Sequence, residues 1–165
     1  MLTDDDSTRL PGATVALAAL LCVAAATPAA AAGSTALVAS PAAPAVQAGG
    51  TTTVTLALAD ADGGVGSAAL RVEATDPSVA TVADVSVPGA PPTSNVSVDA
   101  DGGGADVRYE GANTPRDEGE VAVATVTLAG EAPGEAGIEV VATAAGVGLR
   151  VADETGAAYA LTELG

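Results

Sequence analysis

The chain of 165 residues carries 21 acidic residues against five arginines, with no histidine and no lysine, so its formal charge is −16 at pH 7. Its one cysteine is Cys22, and phenylalanine and tryptophan are absent. Nucleophilic catalysis usually needs a serine or cysteine beside a histidine-like base, and transition-metal sites usually need imidazole or thiolate ligands. The composition therefore argues against an enzyme. It also argues against nucleic acid as a partner, because phosphates are bound by basic patches.

The acid excess indicates the solvent in which the chain works. Self-repulsion at a charge of −16 opposes compaction in dilute buffer, whereas concentrated salt screens it and strengthens apolar burial. We therefore predict a protein of an extreme halophile, most simply a haloarchaeon. A GC-rich genome is the alternative, but it would explain only the alanine, glycine and arginine bias and not the acids.

Residues 1–32 are predicted to be an export signal. Residues 11–26 form an uncharged apolar run, and the small residues behind it suit cleavage near 30–32. Three aspartates at 4–6 precede Arg9, which is an unusual start for a signal. An uncleaved N-terminal anchor is the alternative, because the run is nearly long enough to span a bilayer. Either way we expect the domain in the medium or at the cell surface, with the leader as its one membrane contact.

The rest of the chain is patterned as strands. Residues 33–50 are rich in alanine, proline and glycine, and they predict a linker and a turn with one short strand at 36–39. From Thr51 apolar and polar residues alternate with a period of two, which indicates half-buried strands. Further strands are predicted at 53–58, 70–75, 79–87, 95–99, 105–110, 121–128, 138–143, 147–151 and 157–161.

Short, regular spacing between these segments is typical of a β-sandwich. We predict an all-β domain at 51–165, or from near residue 36, with about nine strands in two packed sheets. Residues 121–128 are apolar on both faces and should form a central strand. Tyr109 is in phase with Val107 and should lie in the core. Gly156 should supply the positive φ of a late hairpin turn.

Five segments of this pattern resemble the cohesin domain family. The most specific part is the sequence D-P-S-V at 76–79, at the end of a strand, together with A-T-V-T at 124–127. The resemblance extends over roughly residues 36–165, although the family often has an aromatic residue where Ala74 and Leu128 stand. The segments that carry it are 49–56, 63–66, 70–79, 119–128 and 134–141.

The resemblance implies a nine-stranded jelly-roll sandwich that binds dockerin-bearing proteins through one open sheet face. In the family this face is formed by the third, fifth, sixth and eighth strands, which correspond here by order to 67–75, 95–99, 105–110 and 136–143. Its two arginines could pair with carboxylates of a partner. For any single residue an ordinary solvated sheet face is the alternative. The outward side chains would be Arg71, Glu73, Ser97, Arg108, Glu110, Glu139 and Val141.

Two acidic turns are candidate calcium ligands. Asp60 with Asp62, and Asp99 with Asp101, each copy the first positions of a calcium loop. Neither pair is followed by a third ligand at the right spacing or by the closing glutamate, and acidic turns are ordinary on an acidic surface. No cofactor is therefore expected. If a dockerin binds, calcium would belong to that partner.

Asn95 begins the N-glycosylation sequon Asn95-Val96-Ser97. The sequon lies on a strand that the resemblance assigns to the binding face. A glycan there would obstruct a protein partner, so the two hypotheses compete.

Three other functions fit an all-β domain. A carbohydrate-binding module, with polysaccharide as its partner, would need exposed aromatic rings, and only Tyr109 and Tyr159 are available. A structural Ig-like spacer of a surface adhesin would need no specific face. A glycosidase would need two acids in a cleft that raises one carboxyl pKa. We expect protein recognition, because the cohesin resemblance implies it and the composition offers little for catalysis or sugar stacking.

We predict that the free energy of unfolding of the chain rises steadily between about 0.05 M and 2 M KCl, because screening removes the self-repulsion of its acids. Far-UV circular dichroism during urea unfolding measures this. Sucrose at matched osmolality is the control, since it does not screen charge. Equal stability at both ends of the salt series would contradict the prediction.

Overall fold

In a computed structural model, which describes residues 31–114, 116, 118–141 and 148–164, the chain is an all-β sandwich. The predicted leader at 1–30 lies outside the described residues, as do residues 142–147 of two predicted strands. The described residues form twelve strands: β1 Ser34–Ser40, β2 Ala45–Val46, β3 Thr51–Asp62, β4 Ser67–Ala74, β5 Ala80–Ser86, β6 Thr93–Val98, β7 Gly104–Glu110, β8 Glu118–Gly130, β9 Gly134–Glu135, β10 Ile138–Val141, β11 Arg150–Ala152 and β12 Ala160–Leu164. Among these residues there is no helix long and apolar enough to cross a membrane.

Two five-stranded sheets make the sandwich. The first has the order β12-β1-β3-β8-β5, with β12 parallel to β1 and the other pairs antiparallel. The second is antiparallel and has the order β10-β4-β7-β6, with β11 also paired to β4. All four strands that the resemblance assigned to one face lie in this second sheet. The predicted central strand is confirmed, because β8 lies between β3 and β5.

The core follows from the period-two alternation. Val54, Leu56 and Leu58 of β3 and Leu70 and Val72 of β4 are at most 1% exposed. Their neighbours in sequence point to the outer faces, as alternation in a strand requires. Because the core contains mainly valine, leucine and alanine, each residue contributes less buried apolar area than an aromatic would.

The described residues form more strands than the sequence predicts, for a local reason. Ten segments were predicted to be strands and each has a counterpart, and the pair β2–β9 brings the total to twelve. Strands of two residues are too short to show a period of two, so the pattern could not reveal them. Both β1 and β2 lie within residues 33–50, where a linker with one strand was expected.

Two short turns explain local sequence motifs. In the D-P-S-V segment, Asp76 Oδ1 accepts hydrogen bonds from the amide of Ser78 at 3.0 Å and from its hydroxyl at 2.6 Å. These bonds lower the pKa of Asp76 and fix the turn between β4 and β5. In the late hairpin, Gly156 has φ = 90°, which confirms its predicted role.

Tyr109 is the largest fully buried side chain, which confirms its predicted place in the core. Its hydroxyl donates a hydrogen bond to the carbonyl oxygen of Val123 at 2.9 Å, and so links the second sheet to β8 of the first. Burial raises the pKa of Tyr109, because the phenolate would lack hydration. This contribution to stability is complete below the usual tyrosine pKa of about 10 and is lost as pH rises above it.

We predict that Tyr109→Phe lowers the free energy of unfolding by about 1 kcal/mol, because one buried hydrogen bond is lost with almost no change in volume. Tyr109→Ala should lower it by about 3–5 kcal/mol through the cavity that it leaves. Urea unfolding in molar salt measures both values. An unchanged stability of Tyr109→Phe would show that the hydroxyl does not join the sheets energetically.

Candidate functional site

The outward side chains of the second sheet form one continuous surface, here called the outer face. Direct cross-strand pairing places residues of β6, β7, β4 and the β10 or β11 edge in rows. One central row consists of Asn95, Arg108, Ala69 and Arg150. The next row consists of Ser97, Asp106, Arg71 and Val141.

Three of the four arginines among the described residues therefore lie on the outer face. Two of them, Arg71 and Arg108, were predicted to be there. Arg150 was missed, because it reaches the face only when β11 pairs with β4, and these two strands are far apart in sequence. Arg116 lies elsewhere, beside Thr55 and Ala57 on the first sheet.

Arg71 is held in a cluster of three carboxylates. Its Nε donates to Glu73 Oε1 at 2.8 Å, and its Nη1 donates to Asp99 Oδ1 and to Asp106 Oδ2, both at 3.3 Å. A further hydrogen bond joins its Nη2 to the second carboxylate oxygen of Asp99. The side chain is only 13% exposed. Most of its hydrogen-bonding capacity is thus used within the chain and not offered to a partner.

The cluster depends on a glycine. Gly104 lies directly across from Glu73, and a Cβ at that position would be 2.9 Å from Arg71 Nη2. That Cβ would also be 2.7 Å from the carbonyl oxygen of Val72, so a side chain there would disturb both the strand and the guanidinium. The pKa of Asp99 is lowered, chiefly by its hydrogen bond with Arg71, and the pKa of Arg71 is raised by the same contact.

Arg108 and Arg150 are much more accessible than Arg71. The side chain of Arg108 is 62% exposed, and its Nη2 donates to Glu110 Oε1 at 3.0 Å. Arg150 is exposed and makes no ion pair with any residue in the described ranges. Together with Ser67, Ala69 and Glu110 they line a shallow depression of about 80 Å³.

The remaining predicted face residues point outward too. Ser97 on β6 and Glu139 on β10 are exposed, and Val141 is half-buried. Ser97 pairs across the strands with Asp106, and Glu139 pairs with Glu73. The outer face therefore brings together all seven residues predicted for partner binding. Their role in binding remains a prediction.

The four candidate calcium ligands are not gathered into one site. Asp60 and Asp62 are exposed at the end of β3, whereas Asp99 is held by Arg71. The Asp101 carboxylate accepts a hydrogen bond from the amide of Gly103 at 3.0 Å. Within the described residues there is no group of three or more side chains placed to hold a metal ion.

Asn95 is exposed on β6, an edge strand, where a modifying enzyme could reach it. It lies directly opposite Arg108 in the same row. A glycan on Asn95 would therefore lie over the outer face and obstruct a protein partner there, so the two hypotheses still compete.

Both tyrosines are buried, so neither offers a ring to a sugar. Tyr109 is fully buried and Tyr159 is 7% exposed. The Tyr159 hydroxyl lies within hydrogen-bonding distance of the carbonyl oxygens of Gly64, at 2.8 Å, and Asp62, at 3.0 Å. With no phenylalanine or tryptophan in the sequence, the chain has no aromatic platform for carbohydrate stacking.

We predict that Arg71→Gln lowers the melting temperature by a few degrees at pH 7, because three carboxylates then face each other without a cation. The loss should be smaller in 2 M KCl, where salt screens their repulsion. Arg116→Gln removes the same charge from a position beside the first sheet and is the matched control.

The same variant has a pH signature. Arg71 lowers the pKa of Asp99, so the stabilisation is present above the usual aspartate pKa of about 3.9 and is lost as pH falls through the lower folded-state value. The difference in stability between the parent chain and Arg71→Gln should therefore narrow below about pH 4. A constant difference down to pH 2 would show that the pairing is not electrostatic.

No family model and no curated protein matches the chain. Several solved structures are similar to the chain. The sixth cohesin of scaffoldin B from Acetivibrio cellulolyticus, in complex with a Cel5 dockerin mutant, is 12% identical, with 79% of this chain and 93% of that chain covered and a TM-score of 0.57. A type II cohesin domain from the cellulosome of the same organism is 13% identical, with the same coverage and a TM-score of 0.55.

A solution structure of CaCohA2 from Clostridium acetobutylicum is 16% identical, with 81% of this chain and 92% of that chain covered and a TM-score of 0.51. Identities this low establish the fold only. They confirm the predicted architecture: the chain has the all-β sandwich fold of cohesin domains.

Proposed function

We propose that the chain is an exported, non-catalytic recognition module that binds dockerin-bearing proteins through its outer face and works in concentrated salt. The observation that carries the proposal is the distribution of cations. In a chain with a formal charge of −16, three of the four arginines that the structure describes share one face of one sheet. Two of these arginines, Arg108 and Arg150, are exposed there and can reach a partner.

The likeness to solved structures supports the class of partner. The cohesin of scaffoldin B was solved with a Cel5 dockerin, and CaCohA2 was also solved in complex with a dockerin, CaDoc0917. The second structure is 16% identical to this chain with a TM-score of 0.50. A pleated sheet face with mixed hydrogen-bonding groups and small residues can lie flat against such a module.

The chemistry of the chain supports binding and not catalysis. A nucleophile with a histidine-like base is absent from the sequence, since there is no histidine and Cys22 lies in the predicted leader. With both tyrosines buried, sugar stacking has no surface. Recognition of another protein needs only the exposed polar and charged side chains that the outer face provides.

To test this, the chain is used as bait for secreted proteins of a halophile in molar salt, with and without a calcium chelator. We expect captured proteins that carry dockerin modules, identified by mass spectrometry, and we expect their loss on chelation. Ser97→Tyr, which adds bulk to the outer face, should abolish capture. Thr53→Tyr adds the same bulk to an exposed position of the first sheet and should leave capture intact.

Retention of the folded chain on polysaccharide, with no dockerin-bearing protein captured, would overturn the proposal in favour of a carbohydrate-binding module. If Ser97→Tyr and Thr53→Tyr lose capture to the same extent, the interface does not lie on the outer face. Circular dichroism of each variant controls for folding.

A further inference from the structure

We propose that the depression between Arg108 and Arg150 is a receptor for one carboxylate side chain of the partner protein. The inference rests on the proposed function and specifies its chemistry: an aspartate or glutamate of the partner enters between the two guanidinium groups, over the methyl group of Ala69.

The positions of the two arginines follow from strand register. Arg150 of β11 and Arg108 of β7 each lie directly across from Ala69 of β4, on opposite sides of it. Their Cα atoms are thus two strand spacings apart, about 10 Å. Because Ala69 projects only a methyl group, the space between the two long side chains stays open. Ser67, Ala68 and Glu110 also line it.

The size of the depression selects its occupant. Its volume is about 80 Å³, whereas pockets for small-molecule ligands measure about 300–1,000 Å³. It can therefore take a single functional group but not a whole metabolite or a sugar. A group of this size must be presented by a larger molecule, and a protein partner that rests on the outer face presents side chains in this way.

The hydrogen-bonding groups select a carboxylate. Arg150 makes no ion pair with the described part of the chain, and Arg108 gives one donor to the exposed Glu110. An exposed pair of this kind contributes little, so Arg108 can exchange Glu110 for another acceptor. Guanidinium groups match carboxylates with two parallel hydrogen bonds, so two of them can bracket one acid from both sides.

Arg71, in the next row, does not compete for this acid. It already faces Glu73, Asp99 and Asp106, so a further carboxylate would meet three negative groups there. The acidic surface around the outer face repels partner acids as well. An acidic side chain thus has one favourable position, and this position fixes the register of the partner on the sheet.

The deciding variant is Ala69→Glu, which places a carboxylate of the chain itself between the two arginines. The position is half-exposed and has a positive residue across from it on both sides, so the variant should fold with equal or higher stability. Ala69→Gln has the same shape without the charge. The comparison of Ala69→Glu with Ala69→Gln separates the effect of the added negative charge from the effect of filling the space.

Two probes are used with the full chain. The first is a hexaglutamate peptide, titrated while the arginine Nε–Hε signals are followed by NMR; with five arginines in the sequence each signal can be assigned. We expect the signals of Arg108 and Arg150 to move and those of Arg71 and Arg116 to stay. Ala69→Glu should abolish the movement and Ala69→Gln should retain most of it. Movement of all signals alike, or of none, would overturn the inference.

The second probe is the dockerin-bearing protein captured as above. Arg108→Ala, Arg150→Ala and Ala69→Glu should each weaken its binding by about tenfold or more, whereas Arg116→Ala should leave it within about twofold. Capture with unchanged affinity in all three outer-face variants would overturn the receptor and leave the proposed function intact. Selective movement of the Arg108 and Arg150 signals without any captured dockerin would overturn the proposed function and retain the receptor.

Discussion

Packing of two sheets through small aliphatic side chains is the constraint on which the rest of this structure depends. Valine, leucine and alanine fill the space between the sheets, and among the described residues Tyr109 is the largest fully buried side chain. Such a core contributes less per residue than an aromatic one, so the surface charge weighs more heavily in the stability of the fold. Concentrated salt stabilises the fold in two ways, because it screens the repulsion between the acids and strengthens the burial of the apolar core. The acid-rich surface and the small-residue core therefore fit the same solvent.

The strands and the side of each strand that is buried could be predicted from sequence, because alternation is a local property. Leu70 and Val72 point into the core and Arg71 and Glu73 point out, as the spacing alone requires. The two-residue strands β2 and β9 could not be predicted, because they show no period. The cohesin resemblance supplied what alternation cannot, namely which strands share a sheet, and the second sheet contains the four strands that it implied.

The candidate site was only half predictable, since the partners of a charged side chain come from other elements. Arg71 was expected to meet a partner protein and Asp99 was only a candidate calcium ligand, yet the two bind each other. Neither spacing nor composition could bring together residues that are 28 positions apart. Arg150 was missed for the same reason, because only the pairing of β11 with β4 places it beside Ala69. Long-range pairing, not residue type, decides which cations stay accessible.

This division of the arginines gives each a different physical role. Arg71 neutralises carboxylates from β4, β7 and the turn that precedes β7, and so allows acids to stand close together on one face. Arg108 and Arg150 take no part in that cluster and are exposed. In a chain this acidic, the positive electrostatic potential at Arg108 and Arg150 differs in sign from that of the surrounding surface. In high salt, screening limits its reach to contact distance. Recognition of a partner by Arg108 and Arg150 would therefore depend on contact geometry and not on long-range electrostatic steering. A receptor that accepts a single carboxylate recognises its partner in this way.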